Sequence, residues 1–266
     1  MNENLKSPFT EHLSELRSRL IHSFIAVGIG FAVAYAFKER LFEVLTAPLM
    51  VAMEGNENAR MIFTGLPEAF FTYLKVSLLA GIVVATPVLF YQFWMFVSPG
   101  LYRNEKKYLI PIVILSVIFF AMGTAFGYFI VFPYGFKFFL GFSNETIHAL
   151  PSMKEYLSFA SKMLLAFGFV FELPLVLTFM ARMGIVTVPF LKKNRKYALL
   201  VFFVGAAIIT PPDVVTQVMM AFPLMVLYEI SIIGAMIFGK KKQEKSDEEP
   251  GAKQEDSSHE TGEDPS

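Results

Sequence analysis

The chain has 266 residues, of which 55% are hydrophobic and 17% are charged. A soluble domain normally carries about 25% charged residues, and here residues 108–136 contain none, so the composition fits lipid rather than water as the solvent. The absence of cysteine excludes disulfides, iron–sulfur clusters and thiol nucleophiles. The formal net charge is zero, yet residues 240–266 carry nine acidic side chains against five lysines, which predicts a disordered, charged cytoplasmic tail.

Six apolar spans are predicted, so we expect an all-α integral membrane protein with its membrane domain over residues 20–239. The spans lie within residues 20–37, 76–97, 108–136, 163–181, 197–210 and 214–239. The last two are obtained by cutting one 43-residue tract at the turn sequence Thr210-Pro211-Pro212-Asp213. This cut predicts short fifth and sixth helices.

The fifth span is short for a membrane crossing. Its roughly 14 residues give about 21 Å of helix, against a hydrocarbon core of about 30 Å. Two interpretations stay open: the bilayer thins locally around the span, or lysines between residues 193 and 196 snorkel and lengthen it.

The basic residues predict that both termini are cytoplasmic. With the N-terminus inside, the inner segments hold about twice as many lysines and arginines as the outer segments. The outer segments, roughly residues 38–75 and 132–162, have helix-like apolar spacing, so we expect short helices at the outer surface. We interpret the first span as an uncleaved helix, because the glutamates before it are unlike a short basic leader.

The sequence shows no recognisable set of catalytic residues. The four histidines are scattered and offer neither metal-ligand spacing nor a base for a serine nucleophile. Residues 234–241 match part of a phosphate loop, but Lys241 stands where Ser or Thr holds magnesium. We therefore expect no enzyme activity, cofactor, metal or nucleic-acid partner, and directional work must be driven by a partner or by the transmembrane potential.

Residues 1–19 are predicted to form a cytoplasmic amphipathic helix. Ser7-Pro8 fits a helix start. Glu11, Glu15 and Arg19 share one face at i, i+4 spacing, opposite an apolar face. Such a helix holds a row of carboxylates at the membrane surface. The alternative is a solvated charged face on an anchor helix.

Two more carboxylates have unusual positions. Glu105 lies in the first inner loop beside basic residues, either as a binding group or as a paired surface charge. Glu172 lies near the middle of the fourth span, where an ionised carboxylate costs about 2.5–3.5 kcal/mol and should face protein or water. Pro174 frees the Val170 carbonyl at the same depth. A functional Glu172 and a neutral, locally hydrogen-bonded one both stay open.

Five motifs follow one another on this six-span frame. They are the stretch from Glu11 to Leu20; Ala47-Pro48-Leu49; Phe96 with Pro99-Gly100-Leu101-Tyr102 and Glu105-Lys106-Lys107; Phe171-Glu172-Leu173-Pro174; and Thr210-Pro211-Pro212-Asp213 with Gln217. In this order they resemble the TatC family, the polytopic component of the twin-arginine protein export system. The resemblance covers about residues 8–240.

The resemblance implies a receptor for exported, folded precursors whose signal sequences carry an Arg-Arg pair. Glu105 matches the family position implicated in this recognition, with Phe96 beside it, and Glu15 and Arg17 match positions implicated on the N-terminal helix. The chemistry suits this role, because two guanidiniums require carboxylates in fixed geometry and charge-assisted bidentate hydrogen bonds are strong and directional.

The resemblance also implies partners. Single-span proteins of the TatA and TatB type are expected at the fifth and sixth spans, with Gln217 and Glu172 as candidate polar contacts. Pro48, Pro174 and Asp213 are further contact or structural positions. Other copies of the chain are expected partners too, in the inner or plasma membrane of a bacterial or archaeal cell whose proton-motive force drives export.

The main alternative is a proton-coupled small-solute transporter that uses Glu172 as its proton site. Against it stand the lack of a visible internal repeat and the conspicuous charges at the cytoplasmic surface rather than at mid-membrane.

Overall fold

The regular structure of the described chain is helical. The computed structural model describes residues 8–54, 60–97, 109–143, 149–209 and 214–239. Its helices are α1 (Pro8–Ala36), α2 (Lys38–Ala52), α3 (Glu68–Val97), α4 (Leu109–Phe126), α5 (Phe132–Leu140), α6 (Met153–Val170), α7 (Leu173–Arg182), α8 (Val188–Lys193), α9 (Arg195–Ile209) and α10 (Val214–Phe238), with a π-helical turn, Gly127–Val131, between α4 and α5. The charged tail predicted for residues 240–266 lies outside the described ranges.

Several helices can cross a bilayer. Within the described ranges, five stretches are long and apolar enough: His12–Ala36, Glu68–Val97, Leu109–Leu140, Met153–Arg182 and Thr216–Phe238. This confirms an all-α integral membrane fold. The sixth crossing, which would use α9, and the orientation of the termini stay predictions.

The N-terminal helix and the first span form one element. α1 runs for 29 residues without a break, about 43 Å at 1.5 Å per residue. From residue 8 onward, the amphipathic helix expected in residues 1–19 is therefore the first part of a helix that continues through the span. This continuity fixes Glu15 relative to the membrane helices.

The two outer segments differ from each other. The first contains the expected short helix, α2, which begins after a turn at Phe37. The second also contains a short helix, α5 (Phe132–Leu140), while the helical pattern around residues 156–160 belongs to α6, which starts at Met153 and continues to Val170. No Gly or Pro interrupts the apolar pattern between residues 156–160 and the fourth span, so the two form one helix.

The fourth span is broken at Glu172. α6 ends at Val170, and α7 begins at Leu173 with Pro174 in its first turn. The backbone N–H of Glu172 donates to Phe169 at 3.1 Å, a three-residue turn tighter than an α-helix. Pro174 has no N–H to continue the ladder, so the break follows from the sequence.

The last two helices differ in length. α9 has 15 residues, or about 22 Å, as expected for a short fifth span. It begins at Arg195, so Lys193 belongs to α8 and does not lengthen it. α10 has 25 residues, about 37 Å, so the expectation of a short sixth helix was wrong. Its internal proline, Pro223, does not end the helix.

Small residues bring α1 and α3 together. A Cβ added at Gly30 would lie 2.6 Å from the Gly81 carbonyl oxygen, and one added at Gly81 would lie 2.6 Å from the Phe31 nitrogen. Both distances are far below van der Waals contact. The two backbones therefore touch at this crossing, as small residues allow between membrane helices.

Candidate functional site

The predicted charged residues of α1 lie against the end of α3. Arg19 donates from Nε to Oε1 of Glu15 at 2.9 Å, and its Nη2 contacts the same oxygen. Its Nη1 donates to Oε1 of Gln92 on α3 at 3.2 Å. One guanidinium thus joins a carboxylate on its own helix to an amide on the next.

A ring stack joins the same two helices. His12 on α1 and Phe96 on α3 lie parallel, with ring centroids 4.3 Å apart and an interplanar angle of 13°. The Nδ1 of His12 is 3.8 Å from Oε2 of Glu15. His12, Glu15, Arg19, Gln92 and Phe96 together form what we call the α1–α3 surface.

The structure therefore unites two of the predicted binding residues, Glu15 and Phe96. Arg17 is exposed on α1. Glu105 lies outside the described residues, and its relation to the α1–α3 surface stays a prediction. No role was predicted for His12 or Gln92, although each lies one helical turn before a predicted residue, His12 before Glu15 and Gln92 before Phe96.

Pro48 is buried inside α2 and has a structural consequence. Proline has no N–H, so Pro48 cannot bond the carbonyl of Val44 four residues earlier. The hydroxyl of Tyr128, in the π-helical turn, donates to that carbonyl. The hydroxyl of Tyr156 donates to the next carbonyl, Leu45. The described contacts thus place Pro48 in the packing of α2 against two other helices.

Glu68, for which no role was predicted, joins two helix starts at the same end of the bundle. Its Oε2 accepts hydrogen bonds from the backbone N–H groups of Thr64 at 2.7 Å and Gly65 at 3.2 Å, and from the Thr64 hydroxyl at 3.1 Å. Its Oε1 accepts from the Ser152 hydroxyl at 2.8 Å and the Lys154 N–H at 3.0 Å. This carboxylate therefore ties the start of α3 to the start of α6. One sequence feature could have indicated this role: Glu68 is an acid in the first turn of a helix, and it follows Thr64 by four residues and Gly65 by three.

Glu172 is buried between the helices, with 7% of its surface exposed. On α4, the Ser116 hydroxyl accepts a hydrogen bond from Nε1 of Trp94 on α3 at 2.8 Å. Among the described residues, Oε1 of Glu172 has no hydrogen-bond partner. The expectation that Glu172 faces protein is met, and it lies at the break between α6 and α7.

Polar side chains of the last two helices, among them the predicted partner contact Gln217, join those helices to each other. Nε2 of Gln217 on α10 donates to the Phe203 carbonyl of α9 at 3.0 Å. Arg195 at the start of α9 pairs with Glu229 of α10 at 2.7 Å. Asp213 lies outside the described residues. Gln217 therefore holds α9 to α10 in this structure, and any contact with another chain is additional.

These features define a class: a polytopic helical membrane protein with a charged and aromatic surface at one end of its bundle and a carboxyl group buried within it. In the described ranges, no group of three or more histidines and acids could hold a metal ion.

The comparisons with known proteins identify the family. The family model described as Sec-independent protein translocase protein (TatC) matches residues 11–223. The TatC protein of Desulforapulum autotrophicum is 75% identical over 254 residues, which are 96% of this chain and 93% of that protein. That of Aquifex aeolicus is 43% identical over 89% of this chain and 98% of its own length. A crystal structure of the twin arginine translocase receptor TatC is similar with a TM-score of 0.77 and 42% identity, over 85% of this chain and 99% of that one.

The chain belongs to the TatC family. The resemblance inferred from its five motifs is confirmed, and it is a multi-pass membrane component of a Sec-independent protein translocase. Family membership favours this role over the small-solute transporter considered as the alternative.

Proposed function

We propose that this chain is the receptor and core subunit of a twin-arginine translocase. In this proposal it binds the Arg-Arg pair of a precursor's signal peptide at the cytoplasmic end of the membrane domain. Glu15, Arg17, Phe96 and Glu105 are the binding residues. The α1–α3 surface is one wall of the site, and Glu105 follows α3 in the chain.

The observation that carries the proposal is the contact between α1 and the end of α3. The stack of His12 on Phe96 and the bridge from Glu15 through Arg19 to Gln92 gather charge and aromatic surface at one place. Such a place suits an arginine side chain, which pairs with carboxylates and stacks on aromatic rings.

Arg19 illustrates the chemistry expected of the ligand. It approaches Glu15 with two nitrogens, as a signal-peptide arginine would. Successive side chains of an extended peptide point in opposite directions, so two consecutive arginines need acceptors on two sides. Glu15 on α1 and Glu105 after α3 are the proposed acceptors.

The remaining surfaces are proposed for partners. TatA- and TatB-type helices are expected to pack at α9 and α10, with Glu172 and Gln217 as polar contacts and the proton-motive force as the energy source. The short α9 supports local thinning of the bilayer at this face. Other copies of the chain complete the assembly, in the inner or plasma membrane with both termini cytoplasmic.

The test uses two exported reporters, one with an Arg-Arg signal and one with an ordinary apolar leader. The variants are E15Q and E105A, with E39A as the matched control, because Glu39 is an exposed acid on α2 at the other end of the membrane domain. We expect E105A, and to a lesser degree E15Q, to reduce export of the Arg-Arg reporter alone. Equal loss of both reporters, or no loss of either, would show that these carboxylates do not read the signal.

A further inference from the structure

A groove between α2 and the segment that leads into α5 opens on the outside of the bundle. Its volume is about 490 Å³. We call it the Lys137 groove, and its walls include Ala47, Val51 and Ala52 of α2 and Phe129, Pro133 and Lys137 of the facing segment. Val51 and Phe129 are 61% and 71% exposed, so the groove faces the surroundings of the protein rather than its core.

The groove combines an apolar lining with one cation. Of the described residues that line it, Lys137 alone is charged. Lys137 is exposed, and within the described ranges it forms no ion pair. Its ammonium group is a compact charge with three hydrogen-bond donors, so it is available to bind an anion.

The residues of one wall form a row along the groove. Phe129, Pro133 and Lys137 are four residues apart, so they lie on one face of their segment, and at 1.5 Å per residue the row is about 12 Å long. Lys137 is at one end of this row and Phe129 at the other. A ligand that fits the row has an anionic group at one end and an apolar chain behind it.

The depth of the row in the membrane follows from the length of the span. The apolar stretch Leu109–Leu140 has 32 residues, about 48 Å of helix, which exceeds the hydrocarbon core of about 30 Å. Lys137 lies near the end of this stretch, where a lysine reaches the lipid headgroups. Phe129 lies deeper, at the level of the acyl chains. The order of charge and apolar surface is therefore that of a phospholipid.

A second crevice at the same end of the bundle provides an internal comparison. It has the same volume, about 490 Å³, and is lined by Phe136 and Leu140 of α5 among other apolar side chains. Its one charged lining residue among those described is Glu155, which repels a phosphate. Size does not distinguish the two crevices, so their charge assigns an anionic amphiphile to the Lys137 groove.

We propose that the Lys137 groove binds an anionic phospholipid from the leaflet at this end of the bundle. The lipid phosphate contacts the ammonium group of Lys137, and one acyl chain lies along Pro133 and Phe129 against the small side chains of α2. This site is independent of the proposed signal-peptide receptor function, because the α1–α3 surface lies at the other end of the membrane domain.

The test measures how much lipid the purified full-length chain retains in detergent, by native mass spectrometry. The two lipid probes are dioleoylphosphatidylglycerol, which is anionic, and dioleoylphosphatidylcholine, which is zwitterionic with the same acyl chains. Inorganic phosphate is added as a competitor that has no acyl chain. The variants are K137Q, K137R and A47L, and the matched control is K154Q, because Lys154 is an exposed lysine at the start of α6 that does not line the groove.

We expect the wild type to retain phosphatidylglycerol in preference to phosphatidylcholine. K137Q should lower the affinity for phosphatidylglycerol about five-fold, the effect of one lysine at an anionic lipid surface, and remove the preference. K137R keeps the charge and should keep the preference, and K154Q should behave as the wild type. A47L fills the groove and should reduce retention of both lipids. Excess inorganic phosphate should displace neither lipid.

Wild-type retention of phosphatidylglycerol by K137Q, or by folded A47L, would overturn the proposal. Equal losses in K137Q and K154Q would show an unspecific effect of surface charge, and displacement by inorganic phosphate would show a site for a free anion. Retention of neither lipid by the wild type would leave the groove to a helix of a partner protein. If A47L does not fold, K137Q, K137R and K154Q still decide, because both lysines are exposed.

Discussion

Pro48 shows how one residue of this fold sets a requirement on another helix. By lacking an N–H, it leaves the Val44 carbonyl without its usual partner four residues later. Tyr128 supplies the missing donor from a different part of the chain. The same logic applies to Glu68, whose five accepted hydrogen bonds join the start of α3 to the start of α6.

The pairing of Pro48 with Tyr128 can be tested by stability. We expect Y128F to destabilise the protein by about 1 kcal/mol, the net value of a typical hydrogen bond. P48A restores an N–H for Val44, so the double variant P48A/Y128F should lose less stability than the two single variants added together. Thermal unfolding in detergent measures all three, with Y134F as the control, because Tyr134 is 64% exposed. Additive effects would contradict the pairing.

The crossing of α1 and α3 matters at the scale of whole helices because it holds both halves of the proposed binding surface. The backbones touch at Gly30 and Gly81. Toward the N-terminus of α1 and the C-terminus of α3, the same pair of helices carries the Glu15–Arg19–Gln92 bridge and the His12–Phe96 stack. A change in the crossing should therefore be transmitted to that surface.

Gly28 provides a matched control for this crossing. G30A places a methyl group against the α3 backbone, which cannot yield, so we expect a loss of about 1–3 kcal/mol, as for overpacked interiors. An added Cβ at Gly28 meets nothing within 4 Å, so G28A should be neutral or slightly stabilising. Thermal unfolding provides the comparison, and equal stability of the two variants would contradict the close approach.

In the whole molecule, the α1–α3 surface lies at one end of α3, and Glu68 with its hydrogen-bond donors lies at the other end. The helix α3 has 30 residues and is about 45 Å long. This length exceeds the hydrocarbon core of about 30 Å, so the two ends meet different aqueous sides. The predicted N-in, C-in topology assigns the α1–α3 surface to the cytoplasm.

The absence of cysteine makes the topology directly measurable. We expect a membrane-impermeant thiol reagent applied to intact cells to label R60C, at an exposed position before α3. The same reagent should label K192C, on α8, only after the cells are opened. Both labelling reactions are followed on the purified chain by mass. The reverse pattern would invert the assigned orientation.

The sequence by itself determined the membrane class, the freeing of the Val170 carbonyl by Pro174, and the family. These depend on local features: long uncharged tracts, a proline that removes a backbone donor, and motifs read in chain order. The expected short sixth helix was wrong, because a turn signal marks where a helix begins and does not reveal how far it continues.

Only the tertiary structure decided which distant side chains meet. Glu15 with Gln92, Pro48 with Tyr128, and Trp94 with Ser116 are pairs on different helices. Helix periodicity fixes which face of one helix a residue occupies, but the rotation and depth of the neighbouring helix are set by packing, such as the contact at Gly30 and Gly81. The contacts between these pairs of side chains therefore form only when the helices pack together.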